Sequence, residues 1–348
     1  MTRLRAPGFF FASVFWQIFL LPHLHLVTGS RQFAIPSFDL VDGNRMPITG
    51  IGMCCRESAK GDAARQTVVD YLNFGGRHID TAVLYQNHVE IGQGIREWIG
   101  NNTGSRSAGD LRREIFLTTK VWSDKFGFER SYRSVKNALS ELGVDYVDLV
   151  LLHVSGEQGG PDAGPDCVEE SAEYPGAGNW SLCRRASWAA LETLKDEGAV
   201  RSIGVSNWDI PKMEALHAVS KYRIAVNQVE LHPWYPQREL LAWSKKNKVV
   251  VTAYGSMGSQ RLAKQILSQD AFTSLSQPRN LQVGQILLRW AVQKGVVVIP
   301  GTANPVHMEQ NLDLFGFELG EEEMAVLDGI ADTNEPIHIY GHRPDLIL

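Results

Sequence analysis

The feature that most constrains the fold is a repeated alternation of short, β-branched apolar runs with amphipathic helical stretches, which starts near residue 38. We predict strands at residues 48–53, 78–80, 115–120, 147–152, 202–205, 225–230, 249–253 and 296–300. We predict helices between them at residues 64–73, 88–98, 132–142, 188–197, 211–219, 238–246 and 283–293. Eight such alternations without a long linker predict an α/β fold in which a parallel sheet closes into a (β/α)8 TIM barrel.

Two local features refine this prediction. The segment FDLVDGNRMP is typical of an N-terminal β-hairpin that turns at residues 42–44. The longest irregular stretch, residues 154–185, follows the fourth strand, so we expect long loops at the C-terminal face. An open doubly wound sheet is disfavoured, because Gly92-Gln93-Gly94, the nearest candidate for its glycine-rich turn, lies inside a predicted helix.

Composition excludes several classes of protein. The 34 basic and 39 acidic residues give a net charge of −5, which argues against a general nucleic-acid-binding protein. Hydrophobic residues make up 44% of the chain, enough for a large core, and four cysteines are too few for a disulfide scaffold. We therefore expect a globular enzyme or binding protein. We also expect it to be a monomer whose partner is a small molecule.

The first 29 residues have the layout of a signal or targeting segment. Arg3 and Arg5 form a basic start, residues 8–21 are almost wholly apolar, and Val27 and Gly29 are small enough to precede a cleavage site. The apolar run is short for a membrane span. We expect entry into the secretory pathway and residence in the endoplasmic reticulum or another organelle. An uncleaved anchor, which would place the chain at a membrane, and a cytoplasmic location stay open.

The predicted organisation is thus a targeting segment at residues 1–29, a barrel at residues 33–333 and a tail at residues 334–348. Asn101 and Asn179 stand in N-glycosylation triplets that we expect in loops, and such triplets also arise by chance. Cys167 and Cys183 flank the long loop and would pair in an oxidising compartment, although unpaired thiols are an equal alternative.

Four polar residues at or just beyond the ends of strands 2 to 4 form the chemical candidate. They are Asp80, Tyr85, Lys120 and His153. Because the carboxyl ends of neighbouring parallel strands meet at the barrel mouth, these side chains converge there. An ammonium beside a phenol favours the phenolate, a carboxylate holds the ammonium, and a neutral imidazole orients a carbonyl oxygen. The set is typical of carbonyl reduction, although each residue alone has a structural explanation.

From about residue 38 to 332 the chain resembles the aldo-keto reductase family. The segments that carry the resemblance include RHIDTAVLYQNHVEIGQGI, FLTTKVW, VDLVLLH, VNQVELHPWYPQREL and VTAYGSMG. The resemblance implies an NAD(P)-dependent oxidoreductase that interconverts aldehydes or ketones and alcohols by hydride transfer. It makes Tyr85 the proton donor, Lys120 and Asp80 the pair that tunes it, and His153 the residue that positions the substrate carbonyl.

The resemblance also implies a nicotinamide site. Ser206, Asn207 and Gln228 would bind the carboxamide, and the Tyr254 ring would stack on the nicotinamide. Ser256 and Gly258 would begin the loop that closes over the pyrophosphate.

The adenosine end departs from the family pattern, which reads roughly IPKSxxxxRIxxN. Gly301 stands at the position of the lysine and His307 at that of the arginine, two cations that contact the 2′-phosphate of NADP in the family. Thr302, Gln310 and Asn311 complete the predicted cofactor set. Because charge-assisted hydrogen bonds contribute about 1.5–3 kcal/mol each, selection for the phosphate is in question. We expect NADP(H) as cofactor, with NAD(H) or dual use as the alternative.

The substrate walls are less aromatic than is usual in the family. We predict that Cys54, Trp122 and Val154 contact the substrate. No cluster of His, Cys, Asp or Glu has metal-ligand spacing, so we predict no metal and disfavour a metal-dependent hydrolase. The other reading that stays open is a catalytically weak, cofactor-binding or regulatory member of the family.

Overall fold

The computed structural model describes residues 35–156, 180–333 and 337–339, and an eight-stranded parallel sheet forms the centre of this part of the chain. Its strands are β3 (Ile51–Gly52), β4 (His78–Asp80), β5 (Phe116–Val121), β6 (Val147–Leu152), β7 (Val200–Ser206), β8 (Val226–Glu230), β9 (Val250–Tyr254) and β10 (Val296–Val298). They pair in chain order. A parallel bridge between Thr49 and Val298 joins the two edges, and the Gly50 amide donates to the Val298 carbonyl at 2.8 Å. The predicted (β/α)8 barrel is confirmed.

Helices surround this sheet. They are α1 (Gly61–Asn73), α2 (His88–Asn102), α3 (Ala108–Glu114), α4 (Phe128–Leu142), α5 (Trp180–Asp196), α6 (Ile210–His217), α7 (Arg238–Asn247), α8 (Ser259–Leu267), α9 (Asp270–Ser276), α10 (Val283–Gln293), α11 (Pro305–Leu312), α12 (Glu321–Asp328) and α13 (Ile330–Thr333). Their buried apolar faces pack on the strands in one continuous core. This layer of helices fixes the positions of the strand ends, where the predicted site lies.

The predicted hairpin closes the amino end of the barrel. Strands β1 (Ser37–Asp39) and β2 (Arg45–Pro47) pair antiparallel, and the turn between them places Gly43 at φ +84°, a conformation that favours glycine. Leu40 and Met46 are buried there against residues of the sheet. The hairpin thus covers the end of the barrel opposite the predicted site.

Several predicted bounds were wrong by a few residues. The strand expected at 48–53 is regular only at Ile51–Gly52, where a Cβ on Gly52 would lie 2.8 Å from the Ile299 carbonyl oxygen, so backbones approach closely. Helices α3, α8, α9, α11, α12 and α13 were not predicted. Asn101 lies exposed in the last turn of α2 and not in a loop, because the apolar face of that helix continues through Ile95 and Trp98.

Other predictions fall wholly or partly outside the described residues. These are the targeting segment, the domain boundaries, most of the tail, Asn179 and Cys167. Cys183 is disulfide-bonded and fully buried, while Cys167, the partner predicted for it, lies outside the described part. No helix among the described residues is long and apolar enough to cross a membrane.

Candidate active site

A buried ion pair lies at the carboxyl ends of β4 and β5. Lys120 Nζ lies 2.5 Å from Asp80 Oδ1 and also donates to the Thr81 carbonyl at 3.0 Å. The lysine side chain has no exposed surface. Burial lowers the pKa of Lys120 below its ordinary value of 10.5, and the Asp80 carboxylate opposes this shift. The carboxylate therefore holds an ammonium that the protein interior would otherwise disfavour.

Tyr85 lies beside this ion pair. The lysine Nζ is 5.1 Å from the centre of the phenol ring. The tyrosine ends a single 3-10 turn, Val83–Tyr85, which connects β4 to α2. Asn87 anchors this turn, because its amide donates to the carbonyls of Met53 and Ala59 and its oxygen accepts from Thr81. The predicted phenol and ammonium are therefore neighbours at one end of the barrel.

His153 follows the last residue of β6 and is buried. Its ring meets the edges of two aromatic rings, with centroid distances of 5.7 Å to Tyr85 and 4.9 Å to Trp122. The Asn207 amide donates to the His153 carbonyl at 3.0 Å and fixes the backbone at this point. The four predicted catalytic residues thus form one cluster.

The residues predicted for the nicotinamide are linked to one another. Asn207, at φ +60°, donates to Ser206 Oγ, and its oxygen accepts from the Tyr254 hydroxyl at 2.7 Å. Asparagine tolerates this left-handed conformation better than most residues do. Gln228 donates to Asp80 Oδ2 at 2.8 Å, a contact that sequence reasoning missed. The amide of Gln228 therefore joins the cofactor side of the site to the ion pair.

The loop after β9 carries two further predicted residues. Ser256 is buried, and its hydroxyl has no hydrogen-bond partner among the residues described. Gly258 adopts φ +87° at the start of α8, where a residue without Cβ is favoured. Gly258 does not line the cavity described below, although its neighbours do.

The adenosine-end residues follow β10. Gly301 and His307 are exposed, Thr302 and Gln310 are half-buried, and Asn311 is buried. Thr302 Oγ1 accepts from the Asn304 amide at 3.0 Å and so shapes the turn that begins α11.

One cavity of about 760 Å³ connects these groups. The predicted residues that line it are Cys54, Asp80, Tyr85, Trp122, His153, Ser206, Asn207, Gln228, Tyr254, Ser256, Gly301, Thr302, His307, Gln310 and Asn311. Lys120 is not among the lining residues, because it lies beneath them with no exposed surface.

The predicted substrate walls are only partly correct. Cys54 and Trp122 line the cavity. Val154 does not line the cavity and is fully buried. Successive residues of an extended chain point to opposite sides, so the valine after His153 packs into the core. We therefore remove Val154 from the substrate-facing set.

Arg56 also lines the cavity, beside Gly301, and sequence reasoning missed it. The only available signal was a basic residue just beyond the first barrel strand, which alone does not distinguish a ligand-binding cation from a solvated one. No group of three or more potential metal ligands occurs in the described part of the chain.

Comparisons with known proteins agree with this geometry. A family model described as the aldo/keto reductase family matches residues 50–332. An aldo-keto reductase of Mycolicibacterium vanbaalenii is 36% identical over 298 residues, which cover 85% of this chain and 92% of the relative. The crystal structure of a Bombyx mori aldo-keto reductase in complex with NADP matches with a TM-score of 0.74 and 32% identity, over 88% of this chain and 95% of that one. The glycerol 2-dehydrogenase (NADP(+)) of Hypocrea jecorina is 31% identical over 86% of this chain and 92% of its own. This chain therefore belongs to the aldo-keto reductase family.

Proposed function

We propose that this protein reduces aldehydes or ketones to alcohols with NADP(H), and that Tyr85 donates the proton. The observation that carries the proposal is the buried Asp80–Lys120 ion pair, whose ammonium lies 5.1 Å from the Tyr85 ring centre at the wall of the large cavity. The NADP complex of the Bombyx mori relative supports the choice of cofactor.

The residues present fit a nicotinamide dinucleotide. The buried Ser256 hydroxyl lacks a hydrogen-bond partner among the described residues. The resemblance to the family implies that this serine lies at the pyrophosphate of the cofactor. Buried polar groups normally have partners, so a ligand oxygen would satisfy it. The Tyr254 ring lines the cavity and is fixed through its hydroxyl by Asn207. Ser206, Asn207 and Gln228 would hold the carboxamide end, and Ser256, Thr302 and Gln310 the phosphate and adenosine end.

When bound, the reduced cofactor supplies a hydride to the carbonyl carbon. The chain's own residues do the remaining work. His153 donates a hydrogen bond that orients the carbonyl oxygen, and Tyr85 transfers its phenolic proton to that oxygen. The Lys120 ammonium stabilises the phenolate that is left, and Asp80 keeps the ammonium in place. Because Asp80 and Lys120 are buried, their electrostatic effect on Tyr85 is larger than it would be in bulk solvent.

A substitution of the proposed donor tests this function. Tyr85→Phe should lower kcat about 10²- to 10⁴-fold against a panel of reactive aldehydes, because proton donation is lost. It should leave the Kd for NADPH within about twofold, since the phenol is not proposed to bind the cofactor. Turnover is followed by NADPH absorbance and Kd by fluorescence titration.

Tyr132→Phe is the matched control, because this tyrosine lies on α4 and its hydroxyl bonds to Glu197 at the surface. The proposal is wrong if Tyr85→Phe is as active as this control. It is also wrong if the unaltered protein binds NADPH but turns over no aldehyde, which would favour a cofactor-binding or regulatory protein.

We also propose that residues 1–29 direct the chain into the secretory pathway. The disulfide-bonded Cys183 supports this, because disulfides persist in oxidising compartments. A fluorescent reporter fused to residues 1–32 should label the endoplasmic reticulum or be secreted, whereas a diffuse cytosolic signal would contradict the proposal.

A further inference from the structure

We propose that Arg56 binds the 2′-phosphate of NADP(H) and so replaces the family's lysine, whose position Gly301 occupies here. The inference rests on the proposed function, because it concerns the same cofactor. It identifies a residue outside the adenosine-end segment as the one that selects between NADP(H) and NAD(H).

The position of Arg56 is defined by contacts on both sides of the cavity. Its Nη1 donates to the Gly52 carbonyl at the end of β3 at 2.6 Å, and its Nε donates to Ser58 Oγ at 3.1 Å. Its Nη2 lies 3.4 Å from the Thr302 carbonyl oxygen, beyond the end of β10. The guanidinium therefore lies between the first and last barrel strands, beside the adenosine-end residues.

The charge of Arg56 has no counter-ion among the described residues. Its hydrogen bonds go to two carbonyl oxygens, one hydroxyl and the Met53 sulfur, and to no carboxylate. Burial lowers the pKa of Arg56 to about 10. Taking a cation from water without a counter-ion is unfavourable. A bound phosphate would supply the missing negative charge.

Gly301 and Arg56 are sterically complementary. A Cβ built on Gly301 would collide with Nη1 of Arg56. A lysine at position 301 and the arginine in its present position therefore exclude each other. The family's lysine is absent, but a cation lies in the same space. Four of the five N–H groups of Arg56 bond within the described part of the chain, and the second N–H of Nη1 is left to donate to a phosphate oxygen.

Lys60 provides a comparison within the same cavity wall. It also lines the cavity, but it is exposed and its Nζ lies 2.8 Å from Glu57 Oε1. Its charge is therefore already paired and hydrated, and we do not expect it to contribute to phosphate selection.

The test is a titration of the full chain with NADPH, NADH, adenosine 2′,5′-bisphosphate and AMP, followed by fluorescence or calorimetry. Arg56→Met removes the charge and keeps an unbranched side chain. It should weaken the binding of NADPH and of adenosine 2′,5′-bisphosphate about 10- to 150-fold, the loss expected for one charge-assisted hydrogen bond. The affinities for NADH and AMP, which lack the 2′-phosphate, should change less than about threefold. Lys60→Met is the matched control and should leave all four affinities unchanged.

A second variant tests the steric argument. In the double variant Arg56→Met/Gly301→Lys the lysine has the space that the guanidinium vacates, so the preference for NADPH over NADH should return. Gly301→Lys alone should strengthen NADPH binding less than the same lysine does in the double variant, because the new side chain must first displace the Arg56 guanidinium.

The outcomes separate this inference from the proposed function. Equal weakening of NADPH and NADH by Arg56→Met, or no weakening of either, overturns the role of Arg56 while the reductase activity stands. An unaltered protein that binds neither dinucleotide overturns the proposed function and this inference with it.

Discussion

At the scale of single residues, the Asp80–Lys120 pair is the most consequential feature of the site. Both side chains are almost fully buried, and the carboxylate also accepts a hydrogen bond from Gln228. Desolvation of two charges is costly, and their mutual attraction offsets it only when both are present with good geometry. The pair therefore contributes little to the stability of the fold. The proposed chemistry nevertheless requires it.

Removing one partner should therefore destabilise the protein strongly. We expect Asp80→Asn to lower the free energy of unfolding by about 3–5 kcal/mol, because it leaves the buried Lys120 ammonium without a counter-ion. The double variant Asp80→Asn/Lys120→Met should recover most of this loss, since it removes the uncompensated charge. Urea unfolding measures both.

The control is Asp196→Asn, which breaks a pair with Lys221 in which both side chains are largely exposed. Asp196→Asn should lower the free energy of unfolding much less than Asp80→Asn does, because water screens exposed charges. A loss for Asp80→Asn no larger than for this control would show that Lys120 does not depend on Asp80 for its charge.

At the scale of elements, periodicity located the barrel strands because each is short, β-branched and followed by a helical stretch. The bounds of α10 (Val283–Gln293) were predicted correctly, since its apolar spacing is regular. Helices α8 and α9 were missed because they have only nine and seven residues. An apolar period is recognised reliably only over a window of about 11–18 residues, so such short helices give too few turns to be identified from the sequence.

The candidate site likewise contains residues that the sequence predicts and residues that only the structure reveals. Asp80, Tyr85, Lys120 and His153 were predictable, because the carboxyl ends of adjacent parallel strands must meet. Val154 was predicted wrongly, because the alternation of successive side chains was not applied beyond the strand end, where it directs the residue after His153 into the core. The roles of Arg56 and of the Gln228–Asp80 bond depend on contacts between residues far apart in the chain.

Helix α2 packs so closely on the end of α4 that one of its positions requires glycine. A Cβ on Gly92 would collide with the backbone carbonyl of Leu142. We expect Gly92→Ala to lower the free energy of unfolding by about 1–3 kcal/mol, the usual cost of overpacking. Thermal or urea unfolding measures the change.

Gly100→Ala on the same helix is the matched control, because a Cβ there would meet no atom within 4 Å. It should be neutral or stabilise the protein by up to about 1 kcal/mol, since alanine favours helix more than glycine does. Equal effects of the two substitutions would contradict the close approach of α2 to α4.

At the scale of the whole molecule, a buried histidine makes stability depend on pH. His78 has no exposed surface, and burial lowers its pKa from the ordinary 6.5 to about 4. As pH falls through 6.5 the unfolded chain gains a proton that the folded chain gains only near pH 4. The unfolded state therefore binds more protons in this range, and acidification favours unfolding.

This shift should cost about 3 kcal/mol of the free energy of unfolding between neutral pH and pH 4. His78→Gln removes the titrating group, so its stability should fall less steeply over the same range even if it is lower throughout. Urea unfolding at several pH values compares the two slopes. Parallel slopes would mean that His78 is not the group responsible.

The central claim is that Tyr85 protonates a carbonyl oxygen while the reduced nicotinamide gives its hydride to the carbonyl carbon. The most direct measurement incubates the protein with an aldehyde and NADPH that carries deuterium at the transferable position, and analyses the alcohol by mass spectrometry. We predict one deuterium on the carbinol carbon with the unaltered protein and almost no alcohol with Tyr85→Phe. Alcohol without deuterium, or equal labelled product from the two proteins, would contradict the account.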